Sequence, residues 1–265
     1  MKSFQSIYGR ATPPIVTQPA NFTDLTVEEF ASMFHTAALG VRTGEELVRF
    51  EAERVKNSGF RFQAFNVESP YLELADDILE GTHQLMVPIG YPIGGQTLKK
   101  RLCDMDYVVK HRSDQCCVTI NYPAALSGRY DIVESECRAM HTEFDAALHI
   151  IDIVPATLFS AKELIAVGQA IAAGGGYHLK VNPGYGLGST FEELSLLKRV
   201  FGEQFILDPS GGIRELKDVA EYVRRGFTVI HSQKTFPFIE EFRVLKERGG
   251  HLNVRLSCWL PGFTL

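Results

Sequence analysis

The fold this sequence predicts is a single (β/α)8 barrel, the TIM-barrel form of the α/β class, and three observations predict it. Short apolar runs alternate with amphipathic stretches at intervals of roughly 23–32 residues, giving eight strand–helix units over about 240 residues. Helix starts are marked by a Ser or Thr followed three residues on by Glu, a pattern in which each side chain satisfies the other residue's free backbone N–H. No linker-like shift in composition divides the chain, so one domain is expected. An open, doubly wound sheet uses the same units and is the competing arrangement.

In chain order, residues 1–25, with Pro13, Pro14 and Pro19, predict an extended arm, and residues 26–250 the barrel. Strands are expected near 34–38 (FHTAA), 60–66 (FRFQAFN), 84–89 (QLMVPI), 116–121 (CCVTIN), 146–153 (AALHIIDI), 177–181 (YHLKV), 204–208 (QFILD) and 227–231 (FTVIH). Helices are expected over 44–59, 131–144, 161–176, 190–203 and 214–226, several ending in Gly as helix C-termini prefer. Capping pairs fall at Thr26/Glu29, Thr43/Glu46, Ser160/Glu163 and Ser189/Glu192. A further helix is expected over 236–249, before a tail of residues 251–265. If the tail is extended, Leu252, Val254, Leu256, Cys258 and Leu260 share one face. A closed barrel has no free edge to pair with it, so that face must pack on its own helices or on another subunit. A homo-oligomer is the expectation, because exposing the stripe and Trp259 would leave an apolar patch.

Composition narrows the function classes. Of the 265 residues, 45% are hydrophobic and 22% charged, which excludes general disorder. The net charge of -5 argues against a broad nucleic-acid face, though not against a local basic pocket. Five cysteines without paired spacing suggest a reduced, cytoplasmic protein rather than a disulfide frame or a zinc site. No apolar leader follows Lys2, and no run is long enough for a membrane helix. Neither a membrane nor a nucleic-acid partner is expected.

The chemistry is expected just after the strands, on the rim where barrels carry their active sites. Lys180 lies inside the apolar run of the sixth strand. It is either an ion-paired or snorkelling lysine, or a nucleophile that forms a Schiff base. Ser210-Gly211-Gly212 follows the seventh strand and opens a helix, so it is either a tight turn or a loop whose N–H groups meet an anion. Ser232 and Lys234 follow the eighth strand and would face it, the usual place for phosphate in a barrel. His35 in the first strand is a core histidine or an acid–base group, and His231 either titrates beside a bound anion or ends its strand. Asp152 ends the fifth strand, while Asn66 and Asn121 end the second and fourth as candidates to orient a substrate hydroxyl. No cluster of His, Asp and Glu has metal-ligand spacing, and no dinucleotide fingerprint occurs.

In order and spacing, the segments FHTAAL, VPIGYPIGGQT (87–97), VTINYPAALSGRYD (118–131), LKVNPGYGLGST (179–190) and DPSGGIRELKDV (208–219) resemble the 2-deoxyribose-5-phosphate aldolase family of class I aldolases. The likeness runs from about His35 to Lys234, and IGYPIGGQT and SGGIR are its most specific parts. It implies a (β/α)8 barrel working without metal or cofactor. It also implies imine formation at Lys180 and a phosphate site at Ser210, Gly211, Gly212 and Ser232, while Lys234 either restores a positive field near Lys180 or holds the phosphate. The chain departs from the family at Asp208, where the family has a second lysine, and at Cys117, where it has an aspartate. Phe34 and Asn66 replace a further aspartate and a cysteine. The expectation is therefore an aldolase-type lyase of carbohydrate metabolism, acting on a small, phosphorylated, sugar-like carbonyl compound other than 2-deoxyribose 5-phosphate. Asp208 is the first candidate for proton transfer, with Asp152 and Cys117 behind it, and a salt bridge to Lys180 is its alternative role. Two other readings remain open: a barrel that binds a phosphorylated metabolite without catalysis, and an isomerase on the same scaffold.

Overall fold

The computed structural model describes residues 5–249. Eight strands run parallel: β1 (Phe34–Ala38), β2 (Ala64–Val67), β3 (Leu85–Ile89), β4 (Gln115–Thr119), β5 (His149–Val154), β6 (His178–Val181), β7 (Ile206–Pro209) and β8 (Ile230–His231). Their order is β7-β6-β5-β4-β3-β2-β1-β8, and a single bridge between Ser210 and His231 joins the two ends into a nearly closed (β/α)8 barrel. The helices are α1 (Val27–Ser32), α2 (Glu45–Asn57), α3 (Leu72–Leu79), α4 (Leu98–Lys110), α5 (Tyr122–Leu126), α6 (Tyr130–Phe144), α7 (Ala161–Ala173), α8 (Phe191–Phe201), α9 (Leu216–Arg224) and α10 (Thr235–Glu247). None is long and apolar enough to cross a membrane.

The elements differ from expectation where aromatic residues imitate strand signals. β2 begins at Ala64 rather than at 60, because Phe60 and Phe62 pack on each other and Phe62 packs on Phe236 of α10 before the strand starts. β8 has only two residues, and Phe227 packs edge-on against Tyr222 of α9 instead of pairing. Thr26/Glu29 and Ser160/Glu163 form reciprocal capping boxes. Thr43/Glu46 does not, since Gly44 is the N-cap of α2. The box of α8 is Thr190/Glu193, one residue later than expected, because the Ser189 hydroxyl donates to the carbonyls of Val181 and Ser210 and ties β6 to β7.

The arm runs across the N-terminal face of the barrel. Arg10 is buried there, donating to Asp114 Oδ2 (2.8 Å) just before β4 and pairing with Asp76 of α3. The main core lies between the strands and the inner helix faces, while a second, small cluster of Ala64, Met86, Cys117, Ile151 and Ile153 fills part of the barrel interior. The rest of the interior is polar. The tail of residues 251–265 lies outside the described residues, and so does the self-association expected of it.

Candidate active site

The loops at the C-terminal ends of the strands enclose a cavity of about 430 Å³, and Lys180, Asn66, Tyr91, Ser210, Gly211, Gly212, His231, Ser232 and Lys234 all line it. Strand alternation sets its floor. Lys180 shares a side of β6 with His178, so it points into the barrel, and in register its neighbours are Ile153 of β5 and Asp208 of β7. The lysine is only 3% exposed. Among the described residues no carboxylate oxygen lies within 4.0 Å of its amine, which instead sits 5.3 Å from the centre of the Tyr91 ring, at cation–π distance. Tyr91 is held in place by a hydrogen bond from its hydroxyl to the Pro183 carbonyl. The loop carrying it reaches the β4 end through Gly94, where a Cβ would lie 2.1 Å from the Ile120 carbonyl oxygen and φ is +66°, so only glycine fits.

Cys117 lies beneath this floor, fully buried, with Asn66 Nδ2 3.7 Å from its sulfur. Burial pushes its thiol above the ordinary range, outweighing the nearby Lys180, so the group stays protonated near neutral pH. Asp208 is fully buried as well, and it faces histidines rather than the open cavity. Its Oδ2 accepts a hydrogen bond from His231 Nδ1 and lies 3.3 Å from His35 Nδ1 and 3.6 Å from His178 Nε2. Burial alone would raise this carboxyl, but the imidazoles gathered on it outweigh burial and hold it well below the usual carboxylate range. Burial holds His231 below the ordinary histidine range, with Lys180 and His35 adding to the effect and Asp208 opposing it. His231 is therefore neutral near pH 7, donates from Nδ1 to a fixed anion, and turns Nε2 away from that partner. That Nε2 has no hydrogen-bond partner among the described residues.

His35, Asp208 and His231 bring ligand-type atoms within 4.8 Å of one another. The two imidazoles, however, are stacked 4.2 Å apart and only 18° from parallel. A metal lies in the plane of each imidazole at about 2.0–2.1 Å, and planes so stacked do not share such a point. The cluster is arranged to hold protons, not an ion.

The loops after β7 and β8 supply the cationic side of the cavity. Gly211 and Gly212 both have φ near +71°, and a Cβ on Gly211 would lie 2.6 Å from the Leu187 carbonyl oxygen, so the loop packs backbone on backbone. Among the described residues, no hydrogen bond takes up the N–H groups of Gly212, Ile213 and Gln233. Lys234 stands beside them, its Nζ 3.5 Å from the Arg214 carbonyl oxygen.

Besides Cys117 and Asp208, three sequence-predicted residues do not line the cavity. Asp152 is on the opposite side of β5 from Ile151 and Ile153 and faces the helices, bonded to His141 of α6 (3.0 Å) with Cys137 Sγ at 3.8 Å. Asn121 caps α5 by accepting from the Ala124 N–H and donates to Glu136, so its amide is consumed by structure. His35 lies on the barrel axis below the cavity, between Gln115 and Asp208. Asp208 itself meets the cavity only through His231. Sequence reading underweighted His231, whose partner is 23 residues away, and missed Tyr91, which was visible only as part of a glycine-rich loop.

No family model matches the chain. Deoxyribose-phosphate aldolase from Metamycoplasma hominis is 24% identical over 197 residues, covering 74% of this chain and 89% of that protein. The enzyme of the same name from Staphylococcus epidermidis is 27% identical over 173 residues, covering 64% of this chain and 78% of its own. Among solved structures, the tetrameric deoxyribose phosphate aldolase from Aeropyrum pernix superposes with a TM-score of 0.74 at 21% identity, over 83% of this chain and 93% of that one.

Proposed function

We propose that this chain, a divergent member of the deoxyribose-phosphate aldolase family, is a class I aldolase whose Lys180 amine forms an imine with a small, phosphorylated, sugar-like carbonyl compound. One observation carries the reading: an almost fully buried lysine ends on the floor of the rim cavity, without a carboxylate partner among the described residues and beside a histidine whose outer nitrogen is unpaired among them. The amine attacks the carbonyl carbon, water leaves, and the protonated imine becomes an electron sink. His231 Nε2 accepts the proton of the hydroxyl next to the bond that breaks, and the electrons of that bond pass into the imine to give an enamine. The same nitrogen returns a proton to the enamine carbon, and water then releases the product from Lys180. Asp208 sets the Nδ1–H tautomer of the resting site, and the Tyr91 face offers the cationic imine a favourable contact.

The free N–H groups of Gly212, Ile213 and Gln233, with Ser232 and Lys234, support a phosphate at the far end of the cavity. The Asp208 and Cys117 departures support a substrate other than 2-deoxyribose 5-phosphate, because the carboxylate is engaged by imidazoles and the thiol is protonated. Incubation with a panel of sugar phosphates and borohydride, followed by mass spectrometry, tests the reading. The expected adduct is on Lys180. An adduct on another lysine, or none with a compound that is turned over, defeats it, and efficient cleavage of 2-deoxyribose 5-phosphate defeats the substrate part.

A further inference from the structure

Barrel axes are usually packed with branched aliphatic side chains. Below Lys180 this axis instead holds a chain of ionisable rings. His231 Nδ1 bonds Asp208 Oδ2, His178 Nε2 lies 3.6 Å from the same oxygen, and His178 Nδ1 is 2.7 Å from His149 Nε2. His149 Nδ1 is in turn 3.4 Å from the Tyr177 hydroxyl. The series runs from the rim cavity, which His231 lines, to a smaller cavity of about 70 Å³ under the N-terminal arm, which His149 and His178 line. Its inner members are almost fully buried.

A neighbouring set of bonds orients His35 beside the series. Gln115 Nε2 donates to the Gln63 carbonyl (3.0 Å) and to Gln84 Oε1 (2.7 Å), so its own Oε1 faces His35 Nε2 at 3.1 Å. That ring nitrogen must therefore carry the hydrogen. His35 Nδ1 lies 3.3 Å from Asp208 Oδ2.

We propose that His178 and His149 are positioning residues that pass protons between the Asp208–His231 pair and the cavity under the N-terminal arm. The proposal rests on imine chemistry at Lys180. When the enamine forms from the imine, the α-carbon proton moves to His231 Nε2, and the Nδ1 proton moves to Asp208. With His178 and His149 each carrying their hydrogen on Nδ1 at the outset, Asp208 Oδ2 hands the proton on to His178 Nε2 without retaining it, the His178 Nδ1 proton reaches His149 Nε2, and the His149 Nδ1 proton leaves to water in the lower cavity. Each imidazole ends neutral with its tautomer exchanged, and the reverse sequence delivers a proton for return to carbon. The path matters because a substrate seated in the rim cavity separates His231 from solvent on that side. The 3.6 Å contact is long for transfer, and contacts of this kind shorten in the reacting complex.

Acetaldehyde in deuterium oxide separates the relay from the imine. Borohydride trapping reads imine formation, and deuterium uptake at the α-carbon reads proton exchange. His149→Gln and His178→Gln keep hydrogen-bonding side chains, but an amide does not hand a proton from one ring nitrogen to another. The expected result is a trapped fraction equal to wild type, with deuterium uptake at least about tenfold slower. Uptake within twofold of wild type at equal trapping overturns the relay and leaves the imine reading standing. No trapping on the wild-type protein, with acetaldehyde or with any sugar phosphate that is turned over, overturns both. If neither variant folds, the wild type decides: a rate that varies linearly with deuterium fraction means a single proton in flight and overturns the relay, whereas a bowed dependence supports it.

Discussion

At the scale of single residues, the site turns on which nitrogen of His231 holds a hydrogen. Asp208 fixes it on Nδ1. Asp208→Asn preserves the shape but offers an amide N–H where the ring needs an acceptor. We expect kcat to fall by about 10²–10⁴ with KM little changed, as for loss of a positioned acid–base group; an unchanged kcat would reduce Asp208 to a packing role. Protonation of His231 removes the base, and burial holds its pKa below the ordinary histidine value. The acid limb of a kcat/KM profile should therefore lie below about pH 6.5, and a limb above that value would remove His231 from the role. Lys180 was legible in the sequence because a cation inside an apolar strand run is anomalous. Asp152 misled for the same kind of reason: a strand-end carboxylate reads alike on either side of the sheet, and a one-residue change of parity sends it to the helices instead of the cavity.

At the scale of elements, the strands and most helices were legible from apolar runs, capping residues and terminal glycines, all of which act locally. What was not legible was the pairing of buried polar groups across elements. His141 of α6 shows this: it bonds Asp152 of β5 at 3.0 Å and Asp145 at 2.9 Å while almost fully buried. Burial would lower its pKa, but Asp152 and Asp145 outweigh burial and raise it to about 10. A histidine raised in the folded state stabilises fully below its unfolded value near 6.5, and that contribution is lost as pH rises toward about 10. Denaturant melts of the wild type should therefore show stability declining between these limits, and His141→Gln should flatten the decline. It should also cost about 3–5 kcal/mol at pH 6, because a buried carboxylate is left behind. A wild-type melt independent of pH over that window would refute the assignment. Gly211→Ala tests the anion loop in the same spirit. The added Cβ meets the Leu187 carbonyl oxygen at 2.6 Å in a left-handed backbone, so KM for a phosphorylated substrate should rise far more than kcat falls. A KM equal to wild type would place the phosphate elsewhere.

At the scale of the whole molecule, the two faces of the barrel do different work, and the N-terminal arm was only partly legible because its prolines predicted extension without saying what it would cover. It covers the face where the inner histidine series ends, since Thr12, Pro13, Pro14, Ile15 and Val16 line the small cavity there with His149 and His178. One buried cation fastens it. The Arg10 side chain is 1% exposed, pairs with Asp114 and Asp76, and donates to the Arg112 carbonyl at 2.6 Å. Asp114 in turn accepts from the Leu85 N–H at 2.8 Å, so the same carboxylate ties the arm to the start of β3. Arg10→Ala removes one partner of a buried pair and leaves the fully buried Asp114 carboxylate without its cation. The cost should be about 3–5 kcal/mol, which for a chain of this size lowers the melting temperature by on the order of 10 °C. Hydrogen exchange should rise first in residues 5–16 and at the strand starts of β3 and β4, because the arm detaches before the barrel opens. Uniform loss of protection across all eight strands would instead mean that Arg10 holds the barrel itself together, and a melt equal to wild type would mean that the arm is fastened by its other contacts.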